Sequence, residues 1–331
     1  MNLSIAKKFQ ANPRLWYAMS IAASWAGAGS LMNSTALAKN IGIVPALIWC
    51  VCNTLACIVF GLLIWKLPTI RRIMRMKVCR LILALFSIFQ IWLAMTAIND
   101  AWSSVIGKTN AMLLTFGFTL AFIIALYRHG IIANILTDNG GMYIIYALVA
   151  ALAIVSLIVA RGNFVSLPLG LEKDCLMEGV YKGFLLLPGP FTYPYFFKLI
   201  DYNEQNEDGV SRCDIVHAFI GGGIGFGAYM AFAFSLVFTS ISPVLETCKA
   251  VLLTVLATST LSSFIYSEYA VFGKKLGLGI NLFAFGFWLF VAPLGVMGVW
   301  TLMAESRVYL ILAMILAAAI LLMRDRKRVA K

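Results

Sequence analysis

Ser259-Thr260-Leu261-Ser262-Ser263 places four hydroxyl side chains in the middle of an apolar run, Val244 to Tyr266, that is long enough to cross a bilayer. A hydroxyl at that depth needs a partner: a carbonyl one helical turn back, a neighbouring helix, or a desolvated cation. Back-bonding to the preceding turn is common in membrane helices, so the run alone is as readily structural as functional. A second irregular stretch, Ser24-Trp25-Ala26-Gly27-Ala28-Gly29-Ser30, lies inside the first apolar run, where its small residues weaken a helix locally. A weakened helix with free carbonyls, beside hydroxyls on another span, is the material of a sodium site in a transporter.

Composition bounds the class. The 331 residues are 62% hydrophobic and 12% charged, about half the charge of a soluble domain. The apolar runs approach 20 residues, which excludes an outer-membrane barrel built from alternating strands of about ten. The polar, basic N-terminus and a full-length first apolar run with no small-residue cleavage pattern after it predict no cleavable signal peptide.

Hydropathy predicts an all-α membrane protein with ten transmembrane helices forming a single transmembrane domain over residues 1–331. The spans fall near Trp16–Ala38, Ile43–Trp65, Leu81–Ile98, Ala111–Tyr127, Met142–Ala160, Glu178–Ile200, Ile215–Ile241, Val244–Tyr266, Leu278–Met303 and Val308–Met323. Residues 16–160 and 178–323 would each carry five, so if they are repeats they are inverted relative to one another. Roughly 19 of the 26 basic residues fall on one side, including Lys7, Lys8, Arg14, the 66–80 loop and the C-terminal Arg324 to Lys331. The other side holds Lys39, Lys108, Arg161, Lys173, Lys182, Lys249 and Arg307. That bias predicts cytoplasmic termini in an inner or plasma membrane. The net charge of +12 is thereby a matter of topology and calls for no nucleic acid; the 66–80 loop suits anionic membrane lipid.

Leu187-Pro188-Gly189-Pro190-Phe191 interrupts the sixth span: two prolines each remove a backbone donor, and Gly189 eases a non-helical turn. The expected helix breaks, Gly27 and Gly29 in span one and Pro188, Gly189 and Pro190 in span six, sit at corresponding positions of the two halves. An unwound segment survives in a membrane only where a cavity, an ion or protein satisfies its backbone, so a pocket between the breaks is predicted. Packing kinks are the structural alternative. Trp25, Gly29 and Asn33 would line one side; Leu187, Phe191, Thr192 and Tyr193 the other; Gln90 and Trp92 of span three are further candidates. Aromatics, amides and hydroxyls with no buried charge suit a small neutral or zwitterionic solute. No Asp or Glu is expected in the central part of any span, which leaves a carboxylate proton relay without a carrier.

The run Ser24 to Ile43 resembles the broken first core helix of the sodium/solute symporters, and is most similar to their urea-transporting branch in its Ser-Trp, amide-Ser, Ala-x-Ala and Gly-Ile order. His217-Ala218-Phe219-Ile220-Gly221-Gly222-Gly223 resembles the start of that family's seventh core helix, and Ser259-Thr260-Leu261-Ser262 its cation motif in the eighth. The resemblance spans ten helices and implies a five-plus-five inverted repeat of the leucine-transporter-like fold. It also implies a sodium ion held by the carbonyls of Ala22, Trp25 and Leu256 and the hydroxyls of Ser259 and Thr260. Five neutral oxygens suit a monovalent hard cation. The implied activity is sodium-coupled symport of a small neutral or zwitterionic solute by alternating access, with the urea-branch resemblance favouring a urea-like one, sodium as coupling ion and no other cofactor. The chain departs from the family pattern in having Ser24 where some relatives carry an acid, and in lacking their peripheral helices. A homo-oligomer or an accessory subunit therefore stays open. So do two other readings: a ten-helix drug/metabolite-type exporter, and a non-transporting membrane sensor or partner protein on a shortened symporter core.

Other signals are weaker. Gly221-Gly222-Gly223-Ile224-Gly225-Phe226-Gly227 superficially resembles a phosphate loop, but no strand precedes it, and close helix packing is the expected role. Cys50 and Cys52 face different ways on an apolar helix, with no second pair for zinc. The Asn33-Ser34-Thr35 sequon lies in or beside the membrane. His129 and His217 are too far apart to predict a site, and no nucleophile–base pair is visible, so no enzyme is expected. The 201–214 segment reads as a solvated connector, and the 161–177 loop as a partial cover for the outer entrance.

Overall fold

Asn12 opens the first helix by accepting the Leu15 N–H on its side chain, and Pro13 occupies the first turn, where a missing N–H costs nothing. The computed structural model describes residues 12–66, 73, 76–128, 131–160, 167–205, 212–233 and 243–329. Among them lie α1 (Pro13–Trp25), α2 (Ala28–Asn40), α3 (Ile43–Lys66), α4 (Lys77–Ile106), α5 (Lys108–Arg128) and α6 (Ile131–Ala160). There follow α7 (Lys173–Phe184), a 3-10 turn Gly189–Thr192, α8 (Pro194–Gln205), α9 (Arg212–Ala233), α10 (Pro243–Phe272), α11 (Lys274–Val291), a second 3-10 turn Ala292–Leu294, and α12 (Gly295–Val329). The described residues contain no strand. Lys7, Lys8, Arg71, Arg72, Arg75, His129 and Arg161, on which part of the sequence reading rests, lie outside the described residues, as do residues 206–211 of the expected connector.

Six stretches, Ile43–Lys66, Lys77–Ile106, Lys108–Tyr127, Asp138–Ile158, Pro243–Phe272 and Lys274–Ala313, are long and apolar enough to cross a membrane. Their outward faces are apolar as well: Leu113, Ile144, Ile158, Phe290, Ile315 and Leu316 are each more than half exposed, an arrangement stable against hydrocarbon and costly against water. The chain is a multi-pass α-helical membrane protein.

Close packing explains the glycines of α9. A Cβ on Gly222 would stand 2.7 Å from Ile21 Cγ2, one on Gly223 2.8 Å from Ile58 Cγ1, and one on Gly227 3.1 Å from Thr54. The run is a surface against α1 and α3, not a phosphate loop. Arg14 and Asp214 form an ion pair where α1 and α9 begin. On the opposite side of the fold, Pro168 and Leu169 carbonyls accept the N–H groups of Ile43 and Val44 at 3.0 and 3.1 Å, so the end of the 161–177 loop is stitched onto the start of α3.

Three expectations change here. The α11–α12 reversal lies at Ala292–Leu294, not after Met303. Along α4, Trp92 meets Ala284, Thr96 meets Trp288 and Asp100 accepts the Val296 N–H; Arg307 then lies over Phe86, some 14 residues (about 21 Å) back down α4. Pro293 and the positive φ of Gly295 (+64°) make that turn. Arg307 is consequently an interior residue, 1% exposed, rather than a loop residue. Lastly, α6 begins at Ile131 instead of near Met142, and α10 runs past Tyr266 to Phe272. These extensions bring Asp138 and Glu268, both 1% exposed, inside the helical body, so buried acids are present after all.

Candidate functional site

The helical ladder of α1 ends with Ala26 N–H bonded to the Ala22 carbonyl at 2.8 Å; the next donor, Gly27 N–H, turns to the Trp25 carbonyl at 2.8 Å, and Gly27 is extended. The second interruption runs from Leu185 to Tyr193, where the chain tightens into 3-10 geometry before Pro194 starts α8. The two breaks meet. A Cβ on Gly189 would lie 2.5 Å from Trp25 Cη2 and 2.8 Å from Arg307 Nη1, so only glycine admits this approach. Gly29 belongs to the first turn of α2 instead of the break; its hydrogen lets Leu93 come within 2.9 Å of where a Cβ would stand.

Below the first break, Asp138 collects side chains from three other helices. Ser20 of α1 donates to Asp138 Oδ2 at 2.7 Å, Ser259 of α10 donates to Oδ1 at 2.8 Å, and Tyr195 of α8 reaches Oδ2 at 3.4 Å while sharing a 2.7 Å bond with Ser20. Asn134, one turn earlier on α6, donates to both Asp138 and Ser263 at 3.3 Å, and Ser263 pairs with Ser24 at 3.0 Å. All of these residues carry polar groups that hydrocarbon would penalise singly; as a network they bond one another.

The five oxygens implied for sodium distribute around the same junction. Ser259 Oγ is the donor to Asp138. Thr260 Oγ1 bonds the Leu256 carbonyl at 3.3 Å and lies 3.1 Å from the Cβ position of Gly27, which places α10 directly against the α1 break. The Ala22 and Trp25 carbonyls each accept one backbone N–H, and a carbonyl oxygen has a second lone pair. The Leu256 carbonyl already accepts the Thr260 hydroxyl, so the second lone pairs of the Ala22 and Trp25 carbonyls, the Ser259 hydroxyl and the adjacent Asp138 carboxylate are the oxygens at this junction that a hard cation could draw on.

Above the junction a small cavity of about 30 Å³, partly open to solvent, is lined by Trp25, Gly27 to Ser30, Asn53, Gln90, Leu93, Ala94, Leu186, Tyr193, Thr260, Trp300, Met303 and Arg307. Of the sequence-predicted solute residues, Trp25, Gly29, Gln90 and Tyr193 reach it. The rest are placed elsewhere. Trp92 donates to the Ala284 carbonyl at 2.8 Å and stacks on Phe287, Phe191 packs against Phe60 at 5.0 Å, Thr192 bonds the Gly189 carbonyl at 2.6 Å, and Leu186 takes the wall position expected for Leu187. Asn33 is buried in α2 with neither amide atom bonded.

The cavity is not uncharged, contrary to the expectation from sequence. Arg307 Nη1 donates to the Leu185 carbonyl at 3.4 Å, Nη2 lies 4.0 Å from Met303 Sδ, the guanidinium sits 5.1 Å from the Phe86 ring centre, and Nε has no hydrogen-bond partner. Holding an arginine at the centre of a membrane helix costs about 2.5–3.5 kcal/mol or more on insertion scales. Asp138 was hidden from the sequence reading by Asn139-Gly140-Gly141, read as a loop; the i, i+4 pair Asn134 and Asp138, continuous with the following apolar periodicity, is the signal that would have found it.

No family model matches the chain, and no curated protein matches it. Among solved structures it is similar to a manganese transporter of Eremococcus coleocola, crystallised in complex with an aromatic bis-isothiourea substituted compound. The likeness covers 97% of this chain and 73% of that one, at 14% sequence identity and a TM-score of 0.40.

Proposed function

We propose that the chain is a cation-coupled secondary transporter working by alternating access, with the coupling ion held where α1, α6, α8 and α10 meet. The observation that carries this reading is the Asp138 junction: a buried carboxylate accepts hydroxyls from both interrupted helices and from α10. Half-helices that end at one charged node can move as bodies when the charge there changes, which is the physical requirement for coupling an ion to a conformational step.

Sodium is the proposed ion. Its positive charge would be matched by Asp138, and Ala22, Trp25, Leu256, Ser259 and Thr260 would supply the neutral oxygens, as the symporter resemblance implies. Ser20 and Tyr195 hold the carboxylate toward α1 and α8, and Asn134 orients it from its own helix. The cavity between the breaks is the proposed solute site. In this reading α1/α2 to α6 and α7/α8 to α12 are the two inverted five-helix halves, ten crossings in all, with both termini cytoplasmic. A proton at Asp138 is the second reading, favoured by the same buried carboxylate.

The test is thermal stabilisation of purified protein by sodium against potassium and choline at equal ionic strength, for wild type, Asp138→Asn and Ser259→Ala/Thr260→Ala, followed by sodium-driven uptake into proteoliposomes. Selective stabilisation that both variants lose supports the ion site. A sodium response without uptake favours a sensor. Stabilisation that follows pH and ignores sodium moves the coupling to protons, and no response to either ion sinks the coupled mechanism.

A further inference from the structure

Arg307 lies in the wall of the cavity between the two helix breaks, 1% exposed, and no carboxylate within ion-pair distance belongs to it among the described residues. Of its five N–H donors, one reaches a carbonyl at 3.4 Å, another lies 4.0 Å from a thioether, and Nε bonds nothing. The cation–π contact with Phe86 offsets part of its charge but uses no hydrogen-bond donor. A guanidinium left this way in a low-dielectric interior is strongly destabilising unless an anion completes it.

A second orphan in the same cavity is also a donor. Asn53 is 1% exposed, its carbonyl is occupied by Trp25 Nε1 at 3.1 Å, and its side-chain Nδ2 has no partner. Two buried donors without acceptors, on helices α3 and α12, define what is missing: an acceptor-rich, negatively charged group. The other walls, Trp25, Tyr193 and Trp300, are aromatic faces suited to an apolar body.

We infer that this cavity binds a small organic monocarboxylate, with Arg307 as the fork that takes the carboxylate and Asn53 as a further donor. A single buried cation matches a single negative charge; no other Lys or Arg lines the cavity, so a phosphate dianion would be left half-paired. The inference deepens the transporter reading and rests on it only for direction of use, since binding itself needs no transport.

The experiment is thermal stabilisation and equilibrium binding on purified full-length protein in sodium, with formate, acetate and lactate each compared with its primary amide. The expected result is that at least one acid binds and its amide does not. Arg307→Met should then weaken the acid by about tenfold or more, and Arg307→Lys, which keeps the charge but loses the fork, by less. Retention of the sodium response by Arg307→Met shows that variant to be folded, and the acid–amide comparison on wild type stands without it. Equal binding of acid and amide, binding unaffected by Arg307→Met, or no acid effect in a sodium-responsive wild type overturns the inference while leaving the cation-coupled reading intact. Acid binding without uptake into vesicles does the reverse.

Discussion

Ser259 Oγ donates to Asp138 Oδ1 across 2.8 Å, joining α10 to α6 at a point where α1 and α8 also arrive through Ser20 and Tyr195. The hydroxyl run that stands out in the sequence therefore has a specific acceptor, and it is not the preceding helical turn. Thr260 and Ser262 do back-bond, to Leu256 and Ser259. Within one run of five residues, Ser259 and Ser263 link α10 to other helices, while Thr260 and Ser262 bond carbonyls of their own helix.

Removing the acceptor should cost more than neutralising it. Asp138→Asn keeps one oxygen, so one of Ser20 and Ser259 still donates while the other hydroxyl turns to accept from the amide NH2, and its expected stability is within about 1 kcal/mol of wild type, with the sodium response lost. Asp138→Ala leaves three buried hydroxyls without their common partner and should destabilise by roughly 1–3 kcal/mol. Melting curves of the two variants in the same detergent check the order, and the reverse order would remove Asp138 from the centre of the network.

Gly189→Ala puts a methyl group 2.5 Å from Trp25 Cη2 and 2.8 Å from Arg307 Nη1. Trp25 cannot retreat easily, since it is bonded to the Asn53 carbonyl and packed on Tyr193 at 4.9 Å. The expected cost is about 1–3 kcal/mol with loss of solute binding. Gly286→Ala, where nothing lies within 4 Å of the new methyl group, should be neutral or slightly stabilising. Equal melting points for the two variants would contradict the close approach of the breaks.

Both helix interruptions are legible in sequence because proline and glycine act through the backbone locally: Pro188, Gly189 and Pro190 cannot sit in an uninterrupted ladder whatever surrounds them. The reversal before α12 was misplaced for the opposite reason. Glu305-Ser306-Arg307 is the most polar triplet in the last apolar stretch and reads as a loop, yet Glu305 is exposed while Arg307 turns inward on the same helix. Whether a charge marks a loop or a binding site depends on which face it occupies, and a polarity count carries no face. Asp138 fell to the same blindness, since the helix passes straight through Gly140 and Gly141.

The position of that reversal predicts a labelling pattern. On a background without native cysteines, Lys275→Cys and Lys327→Cys should react with a membrane-impermeant maleimide from one side and Leu294→Cys from the other. Arg307→Cys, in the cavity wall and 1% exposed, should react far more slowly than these positions from either side. Ready labelling of Arg307→Cys from the side opposite Lys275→Cys, with Leu294→Cys protected, would restore the loop after Met303 and withdraw Arg307 from the cavity.

Two tryptophans that look equivalent in sequence should separate in function. Trp92 Nε1 donates to the Ala284 carbonyl at 2.8 Å, and Trp288 Nε1 donates back to Thr96 Oγ1 at 3.0 Å, so the pair forms a seam between α4 and α11, one helical turn apart on each. Trp25 stands in the cavity wall. Trp92→Phe should therefore lower stability by about 1 kcal/mol for the lost hydrogen bond and leave solute affinity unchanged. Trp25→Phe loses the bond to Asn53 and part of the aromatic wall together, and its expected effect is on affinity as well as on melting. The comparison is read from binding isotherms alongside thermal melts of both variants. Affinity lost equally in the two would mean that the solute lies toward α11, on the Trp92 side of α4, and not between the helix breaks.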